Sequence, residues 1–404
     1  MKILHTADWH LGQNFYNYDR EEEHQSFLEW LFTTLVAEQI DVLLVAGDVF
    51  DSANPTVAST KMFYSFLKKI NVELPDLKVV ITAGNHDSPI RLEMAKPLLE
   101  QTNIHLIGVI HRDEDKQIDF QKCIIPLEEE KLYCLAIPFL RISDCPRTDD
   151  EIPNYSKGIV DFYNQALDYA VSKYGKQAKY IAMGHLHSYG VQVTESDTAE
   201  RTIVGGVEGI AVDDFSKELS YVALGHIHKA QRVSDKNHIR YSGSPIPLSF
   251  SEKKYKHQVL ILDIQDGIIQ NLQKKEVPVH TPLLSIPQEH QPLDKVLECI
   301  AQLPEYQYAV KPFVEIKVLV EQPIPDLKNQ INHALEGKHV RLTRIESKSV
   351  RDLQNKDNSE IITELRELAP EEVLQKIYFQ KYNQQLPQEI AILFQEVIQE
   401  VDNQ

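Results

Sequence analysis

The stretch from Asp41 to Asp51, DVLLVAGDVFD, contains the pattern that decides the fold. Its apolar run from Val42 to Ala46 predicts a strand that is buried on both faces. Gly47 then lets the backbone turn sharply, and Asp48 follows at once. In open α/β sheets, ligands bind just beyond the carboxyl ends of such strands. The stretch therefore predicts a buried strand that delivers a carboxylate to a ligand site.

Four other stretches repeat this arrangement of an apolar strand followed by Asp, Asn or His. They are Lys2–Ala7 before Asp8-Trp9-His10, Leu77–Ala83 before Gly84-Asn85-His86-Asp87, Tyr180–Met183 before Gly184-His185-Leu186-His187, and Tyr221–Leu224 before Gly225-His226-Ile227-His228. Amphipathic helices are predicted between the strands, at Asp19–Gln39, Pro55–Asn71 and Ile159–Tyr174. This alternation indicates an α/β fold, with a layered sheet packed between helices.

The composition and the apolar pattern of the sequence change after about residue 275. The stretch Pro278–Pro292 is predicted to be a linker, because it is rich in proline, histidine and short polar steps. A small α+β unit follows, with strands predicted at Phe313–Val320 and His339–Ile345 and a helix at Pro325–Leu335.

Two helices are predicted near the carboxyl terminus, at Glu371–Tyr382 and Gln388–Val401. The second has an apolar stripe at helical spacing, formed by Ile390, Leu393, Phe394, Val397, Ile398 and Val401. Such a stripe packs either on its own domain or on a partner protein, and the pattern alone does not choose between these two.

The bulk composition of the 404 residues limits the class of protein. The four cysteines have no CxxC spacing, which favours a reducing compartment over a disulfide framework. The first residues lack the layout of a signal peptide, and no apolar run reaches the length of a membrane-spanning helix, so we expect cytoplasmic residence without a membrane association. With 42 basic and 60 acidic residues the net charge is -18. A protein that binds DNA without a partner usually has a basic surface, because neutralising the phosphates supplies most of the affinity. Either the substrate is not DNA, or a partner supplies much of the affinity for DNA.

The polar residues after the strands are a set of candidate metal ligands with oxygen and nitrogen donors. The set contains Asp8, His10, Asp48, Asn85, a histidine near residue 185, His226 and His228. Carboxylate with imidazole suits a borderline divalent ion such as Mn²⁺, Fe²⁺ or Zn²⁺. Seven side chains are too many for one ion, so we expect two ions bridged by Asp48. His86, beside a candidate ligand, could stabilise a phosphate or protonate a leaving group.

The five motifs resemble those of the calcineurin-like metallophosphoesterase superfamily. Three further stretches, Asn85–Arg91, Ile137–Arg141 and Tyr241–Pro245, resemble its branch of SbcD-like DNA repair nucleases. The resemblance implies a layered metallophosphoesterase β-sandwich flanked by helices in residues 1–275. It also implies a small α+β capping domain in residues 276–347, and a linker with a helical, partner-binding tail in residues 348–404.

The resemblance implies a role for most of the site residues. One ion would be held by Asp8, His10, Asp48 and His228, and the other by Asp48, Asn85, His185 and His226, with Mn²⁺ as the usual metal and His86 as the catalytic histidine. His187 would be a bystander or an outer-shell residue. The resemblance assigns no role to Asp51 or Asp87. Asp51 could orient a ligand or a water, or cap the following segment. Asp87 could orient His86 or cap the helix before Pro89.

The resemblance also implies a function. SbcD-like nucleases cut double-stranded DNA ends as exonucleases, and single strands and hairpins as endonucleases. They act as a homodimer within a heterotetramer that includes an SbcC-like coiled-coil P-loop ATPase. The enzyme would be nucleoid-associated. Because the ATPase would supply most of the affinity for DNA, the nuclease itself could carry a negative net charge. The sequence contains no Walker A motif, and it assigns no DNA-contacting residue. The alternatives are a small-substrate metallophosphoesterase, which would turn over a small diester but not DNA, and an inactive scaffold, which would not bind metal.

Overall fold

The chain divides into two units, the first ending at Leu283 and the second beginning at Leu284. The computed structural model describes residues 1–146, 154–189, 191, 210–304, 309–322 and 324–349.

A six-stranded sheet near the amino terminus carries the first three motifs. Its strands are β1 (Lys2–Thr6), β4 (Val42–Ala46), β5 (Lys78–Thr82), β6 (Ile104–Ile107), β13 (Gln258–Gln265) and β14 (Ile268–Glu276). Their spatial order is β14-β13-β1-β4-β5-β6. Strands β2 (Asn14–Phe15) and β3 (Tyr18–Asp19) form a separate two-stranded sheet. Strands β1, β4, β5 and β6 run parallel, whereas β13 is antiparallel to β1 and to β14. The hairpin of β13 and β14, absent from the sequence prediction, therefore extends the sheet beyond the amino-terminal strand.

A second six-stranded sheet carries the two histidine motifs. Its strands are β7 (Ile124–Glu128), β8 (Leu132–Ala136), β9 (Lys179–His185), β10 (Leu219–Gly225), β11 (Gln231–Val233) and β12 (Lys236–Tyr241). Their order is β11-β12-β10-β9-β8-β7. The central strands β8, β9, β10 and β12 are parallel, and the outermost strands β7 and β11 are antiparallel to their neighbours. The parallel core places the carboxyl ends of β9 and β10 side by side.

Helices cover the outer faces of the two sheets. They are α1 (Glu21–Ala37), α2 (Val57–Glu73), the short α3 (Pro89–Glu93) and α4 (Lys96–Leu99), and α5 (Tyr155–Tyr174). The side chains of Thr56 and Asn154 cap the first turns of α2 and α5 by accepting backbone N–H groups. The predicted apolar stripe of α1 lies in the core, since Phe27, Leu28, Leu31, Phe32 and Leu35 are all buried.

Strand β4 shows how the layers are held together. Its residues Leu43 and Val45 belong to the core beneath α1 and α2, whereas Leu44 faces a second core shared with the other sheet. That second core also contains Ile181 of β9 and Tyr221 of β10. Burial on both faces explains why the run is apolar throughout. The predicted layered α/β fold is therefore confirmed.

The second unit is a small α+β arrangement. Its sheet has the order β15-β16-β17, with β15 (Leu283–Gln291), β16 (Phe313–Val320) and β17 (Arg341–Ser349). Helices α6 (Leu293–Ala301) and α7 (Leu327–Leu335) contribute Val296, Ile300 and Ile331 to its apolar core. The strand at Phe313–Val320 matches its prediction residue for residue, and helix α6 was not predicted.

The prediction of a linker at Pro278–Pro292 is wrong over most of its length, because Leu283–Gln291 is strand β15. Among the strands that the structure describes, this one lies at the edge of its sheet, with a neighbour on one side only. An edge strand tolerates Pro287, since proline removes only one backbone donor and need not interrupt the paired side. Ile286 packs in the core of the unit. Proline was therefore an unreliable turn signal here.

Two further predictions are addressed by the described residues. All four cysteines are free, which confirms that they form no disulfide framework. Among the described helices, none has the length and apolar character needed to cross a membrane. The two helices predicted at Glu371–Tyr382 and Gln388–Val401 lie outside the described residues.

Candidate metal centre

The ends of five parallel strands, three from one sheet and two from the other, bring the predicted ligands together. Strands β1, β4 and β5 lead to Asp8 and His10, to Asp48, and to Asn85 and His86, while β9 and β10 lead to His185, His226 and His228. A hydrogen bond of 2.9 Å between His185 Nδ1 and the carbonyl oxygen of Ala46 links the two sheets at this edge. All seven predicted ligands, as well as His86, Asp51 and Asp87, therefore lie in one region of the fold.

The backbone at this edge has an unusual conformation. Asp8, His10, Asp48 and His226 have positive φ angles of 54°, 46°, 48° and 99°. This left-handed region is costly for residues other than glycine, and it persists only where surrounding contacts hold it. Here the amide of Asp8 donates to the carbonyl oxygen of Gly47, the amide of His10 to that of Asp48, and the amide of His226 to Asp8 Oδ1 at 2.8 Å. The strain thus lies at the candidate ligands.

Two glycines leave the space that the candidate ligands occupy. A Cβ atom on Gly47, whose φ is +84°, would collide with the ring of His185. A Cβ atom on Gly84 would collide with the carboxylate of Asp48. The glycine in each motif is thus needed for close approach as well as for the turn.

Three groups of side chains are arranged to hold a cation. Asp8, His10 and His228 form one group, His10, Asp48 and His86 a second, and Asp8, Asp48 and His185 a third; within each, the potential ligand atoms lie within 4.8 Å of one another. Asp8 Oδ2 is buried and accepts no hydrogen bond from any residue that the structure describes. A buried carboxylate oxygen without a donor is costly unless a cation compensates it. The donor set and its burial therefore fit divalent metal ions.

Asn85 joins the two histidine strands to the site. Its Oδ1 lies 2.9 Å from Nε2 of His185 and 3.1 Å from Nδ1 of His226. An amide oxygen cannot ionise, so it offers a neutral ligand atom whose charge does not depend on pH. This contact places Asn85, His185 and His226 together, as the proposed second ligand set requires.

The charges of the site are strongly coupled. Burial raises the pKa of Asp8 to about 6, against the opposing effect of His185. Burial would also raise the pKa of Asp48, but the nearby imidazoles of His185 and His10 hold it below its usual range. For His185, burial disfavours the charged ring, yet the Asp48 carboxylate, 3.1 Å away, raises its pKa to about 9. The raised pKa of His185 and the lowered pKa of Asp48 both favour a proton on His185 that is hydrogen-bonded to Asp48. A metal cation would compete with this proton for the same two atoms.

His86 is positioned by two backbone contacts. Its amide donates to Asp48 Oδ1 at 2.9 Å, and its ring Nδ1 lies 2.8 Å from the carbonyl oxygen of Asp51. Because a carbonyl oxygen only accepts, Nδ1 carries the proton, and Nε2 is the nitrogen that can exchange a proton with a substrate. The ring meets that of His10 edge to face, with 4.8 Å between centroids. His86 is therefore a member of the second group of candidate ligands, with its ring next to that of His10.

Asp87 holds two of the motif loops together. Its carboxylate accepts backbone N–H groups from Val49 and Gly84 at 3.1 and 2.8 Å through Oδ2, and from Phe50 at 2.9 Å through Oδ1. The first residue before helix α3 is Ser88, not Asp87. The contacts of Asp87 are therefore with the backbone that carries Asp48, rather than with the His86 ring or the helix.

Two further carboxylates contact candidate ligands, and one of them was missed in the sequence. Asp51 Oδ1 lies 3.2 Å from His10 Nδ1. Glu252 Oε1 lies 3.1 Å from His228 Nδ1. Burial would raise the pKa of Glu252, but His228 and the amide of Leu248 hold it below its usual range. Glu252 is in no motif, so no local signal in the sequence points to it. The cation-binding groups of the described residues include His185 and not His187.

Comparison with known proteins shows what the chain is similar to. Residues 1–230 match the model of the calcineurin-like phosphoesterases, and residues 279–382 match that of the type 5 capsule protein repressor C-terminal domain. The SbcD subunit of nuclease SbcCD from Rhodobacter capsulatus is 36% identical over 354 residues, covering 85% of this chain and 86% of its own. The Escherichia coli K12 protein of the same name is 29% identical over 347 residues, covering 83% and 82%. That of Bacillus subtilis is 34% identical over 277 residues, covering 66% and 67%.

Proposed function

Because the chain belongs to the calcineurin-like phosphoesterases, and within them to the SbcD nucleases, we propose that it is the nuclease subunit of a DNA-end-processing complex. It hydrolyses phosphodiester bonds with divalent metal ions. The observation that carries this proposal is the convergence of five strand ends on buried carboxylates and imidazoles, with Asp8, Asp48 and His185 in one cation-binding group.

The site has ligands for two metal ions, with Mn²⁺ as the expected metal. The first ion is assigned to Asp8, His10, Asp48 and His228, and the second to Asp48, Asn85, His185 and His226. The group of Asp8, His10 and His228 supports the first assignment. The contacts of Asn85 Oδ1 with His185 and His226 support the second. When bound, such ions polarise a phosphodiester and lower the pKa of a coordinated water.

His86 is the residue assigned to assist cleavage. The Asp51 carbonyl oxygen keeps the proton on Nδ1, so Nε2 is directed to contact the phosphate or the leaving oxygen. The ring is only partly buried, whereas the ligand side chains Asp8, Asp48 and His185 are almost fully buried. Its partial exposure leaves the ring open to a substrate, as is true of the neighbouring Asn85, so the role of His86 is supported by its Nδ1 contact and not by exposure.

The net charge of -18 supports a partner that supplies DNA affinity. That partner is an SbcC-like coiled-coil P-loop ATPase, and the complex is a heterotetramer containing a homodimer of this chain. Its substrates are double-stranded ends and hairpins.

The test is cleavage of a hairpin-ended linear duplex in Mn²⁺, with and without the cognate ATPase and ATP. Wild type is compared with His86→Ala, with Asp48→Ala, and with the control His333→Ala, whose side chain is 85% exposed in the second unit. Wild type and His333→Ala should cut the duplex. His86→Ala should bind Mn²⁺ yet lose cleavage by about 100-fold or more, whereas Asp48→Ala should lose both metal and cleavage.

The control reactions separate this proposal from its alternatives. Turnover of a small chromogenic diester by a metal-loaded protein that leaves DNA intact, even with the ATPase present, would contradict the nuclease assignment. Cleavage by His86→Ala at the wild-type rate would contradict the role of His86.

A further inference from the structure

Glu252 is a buried acidic side chain outside all five motifs. It ends a 3₁₀ helix, Phe250–Glu252, and its relative exposure is 0%. A buried carboxylate is strongly unfavourable unless charge and hydrogen bonds compensate it. The contacts of Glu252 therefore indicate what it does.

Both oxygens of the carboxylate have a defined partner. Oε1 lies 3.1 Å from Nδ1 of His228, and Oε2 accepts the amide of Leu248 at 2.8 Å. With Nδ1 bound to a carboxylate, the His228 ring must present Nε2 to Asp8 and His10, with which it forms a cation-binding group. The centroids of the His10 and His228 rings are 5.2 Å apart.

The loop that carries Glu252 is anchored by side chains from the amino-terminal region. Arg20 Nη1 donates to the carbonyl oxygen of Pro247 at 2.6 Å, and Gln13 Nε2 donates to that of Leu248 at 3.2 Å. Arg20, itself 1% exposed, also binds Glu23 through two hydrogen bonds. These contacts fix the carboxylate against the His228 ring, because the loop has little freedom to withdraw.

The groups that contact the Nδ1 atoms of the ligand histidines differ between the two proposed ion sites. At the first site, Nδ1 of His10 contacts the Asp51 carboxylate and Nδ1 of His228 contacts that of Glu252. At the second site, Nδ1 of His185 contacts the carbonyl oxygen of Ala46, a neutral group. The Nδ1 atom of His226 instead faces Asn85 Oδ1, which is itself a proposed ligand atom of the second ion, so this contact joins two ligands. Carboxylate partners increase the basicity of an imidazole and its strength as a ligand.

We propose that Glu252 is a positioning residue that fixes the tautomer and direction of His228, and so strengthens the first of two unequal metal sites. The inference rests on the proposed function, since it presupposes that His228 binds metal. Glu252 itself touches neither metal nor substrate. Its effect should therefore appear in the affinity for one ion, and only weakly in the rate once both ions are bound.

The experiment is a Mn²⁺ titration of the metal-free full chain, followed by calorimetry and by electron paramagnetic resonance. It compares wild type with Glu252→Gln, which keeps the shape, and with Glu252→Asp, which withdraws the charge by one methylene. The matched control is Glu315→Gln, because Glu315 is equally buried but binds Ser285 and Arg344 in the second unit. Thermal unfolding of each metal-free variant verifies that it is folded.

Glu252→Gln and Glu252→Asp should weaken one of the two binding events about 10-fold to 100-fold and leave the other within about threefold. Saturating Mn²⁺ should restore most of the cleavage rate, and Glu315→Gln should bind both ions as wild type does. Unchanged affinity for both ions, or an equal loss at both, would overturn the proposal. Absence of any Mn²⁺ binding by wild type would instead contradict the proposed function itself.

Discussion

Asp51 contacts His10 through its side chain, with 3.2 Å between Asp51 Oδ1 and His10 Nδ1. The same residue contacts His86 through its backbone, since its carbonyl oxygen lies 2.8 Å from His86 Nδ1. One residue thus positions a proposed metal ligand and the proposed catalytic histidine by different groups. A change of its side chain should separate these two effects.

Asp51→Ala should lower Mn²⁺ affinity about 10-fold, because His10 loses its carboxylate partner. The Asp51 side chain is about one-third exposed, so its removal leaves no large cavity. The contact with His86 should remain, because it involves only the backbone. Cleavage at saturating Mn²⁺ should therefore stay within about threefold of wild type, as measured by duplex cleavage over a range of Mn²⁺ concentrations. A large loss at saturating metal would show that the Asp51 side chain has a direct part in cleavage.

Gly84→Ala should impair the centre by a steric effect. The added Cβ would overlap the carboxylate and amide of Asp48, while the backbone angles of Gly84 are open to alanine. A displaced Asp48 should lower the cleavage rate about 100-fold and weaken Mn²⁺ binding.

The control for this variant is Gly337→Ala, where the Cβ meets nothing within 4 Å although φ is +77°. It should cost stability of about 1 kcal/mol without altering Mn²⁺ affinity. Equal Mn²⁺ affinity in Gly84→Ala and wild type would contradict the proposed role of Asp48.

Asp87→Ala should destabilise the fold. The substitution removes the acceptor of three buried backbone N–H groups, those of Val49, Phe50 and Gly84. Each unsatisfied buried donor costs about 1–3 kcal/mol, so a loss of about 3 kcal/mol or more is expected in urea unfolding of the metal-free protein. The exposed Asp235→Ala should change stability by less than about 0.5 kcal/mol. Equal urea midpoints for the two variants would show that the loops do not depend on Asp87.

Acid should destabilise the protein partly through His5. Burial lowers the pKa of this ring to about 3, and its Nδ1 lies 2.9 Å from the Tyr221 hydroxyl. In the unfolded chain the His5 ring binds a proton below a pH of about 6.5, whereas in the folded chain it stays neutral down to about pH 3. The free energy of unfolding therefore decreases as pH falls below about 6.5. Between pH 7.5 and pH 5.0, His5 should account for about 2 kcal/mol of this loss.

Urea unfolding in a chelator at both pH values tests this expectation. His5→Asn should be less stable than wild type at pH 7.5 but should lose about 2 kcal/mol less between the two pH values. The exposed His333→Ala should lose as much as wild type. A loss in His5→Asn equal to that of wild type would show that His5 is not the group responsible.

The sequence by itself determined the layered α/β fold and the position of each candidate ligand after its strand. These features are local, because an apolar run of five residues such as Val42–Ala46 predicts a doubly buried strand, and the glycine and carboxylate after it predict a turn with a ligand. It also anticipated the first strand and the strand Phe313–Val320 closely.

Only the tertiary structure decided what surrounds those ligands. The pairing of β13 with β1 and the contact of Glu252 with His228 join residues far apart in the chain. Likewise, Asp87 binds the backbone of another loop, and Pro287 lies within an edge strand. Local patterns do not encode such partners, because a hydrogen bond depends on where two segments meet in space and not on the residues beside either one. The candidate ligands could therefore be predicted from the chain, whereas the contacts that orient them required the fold.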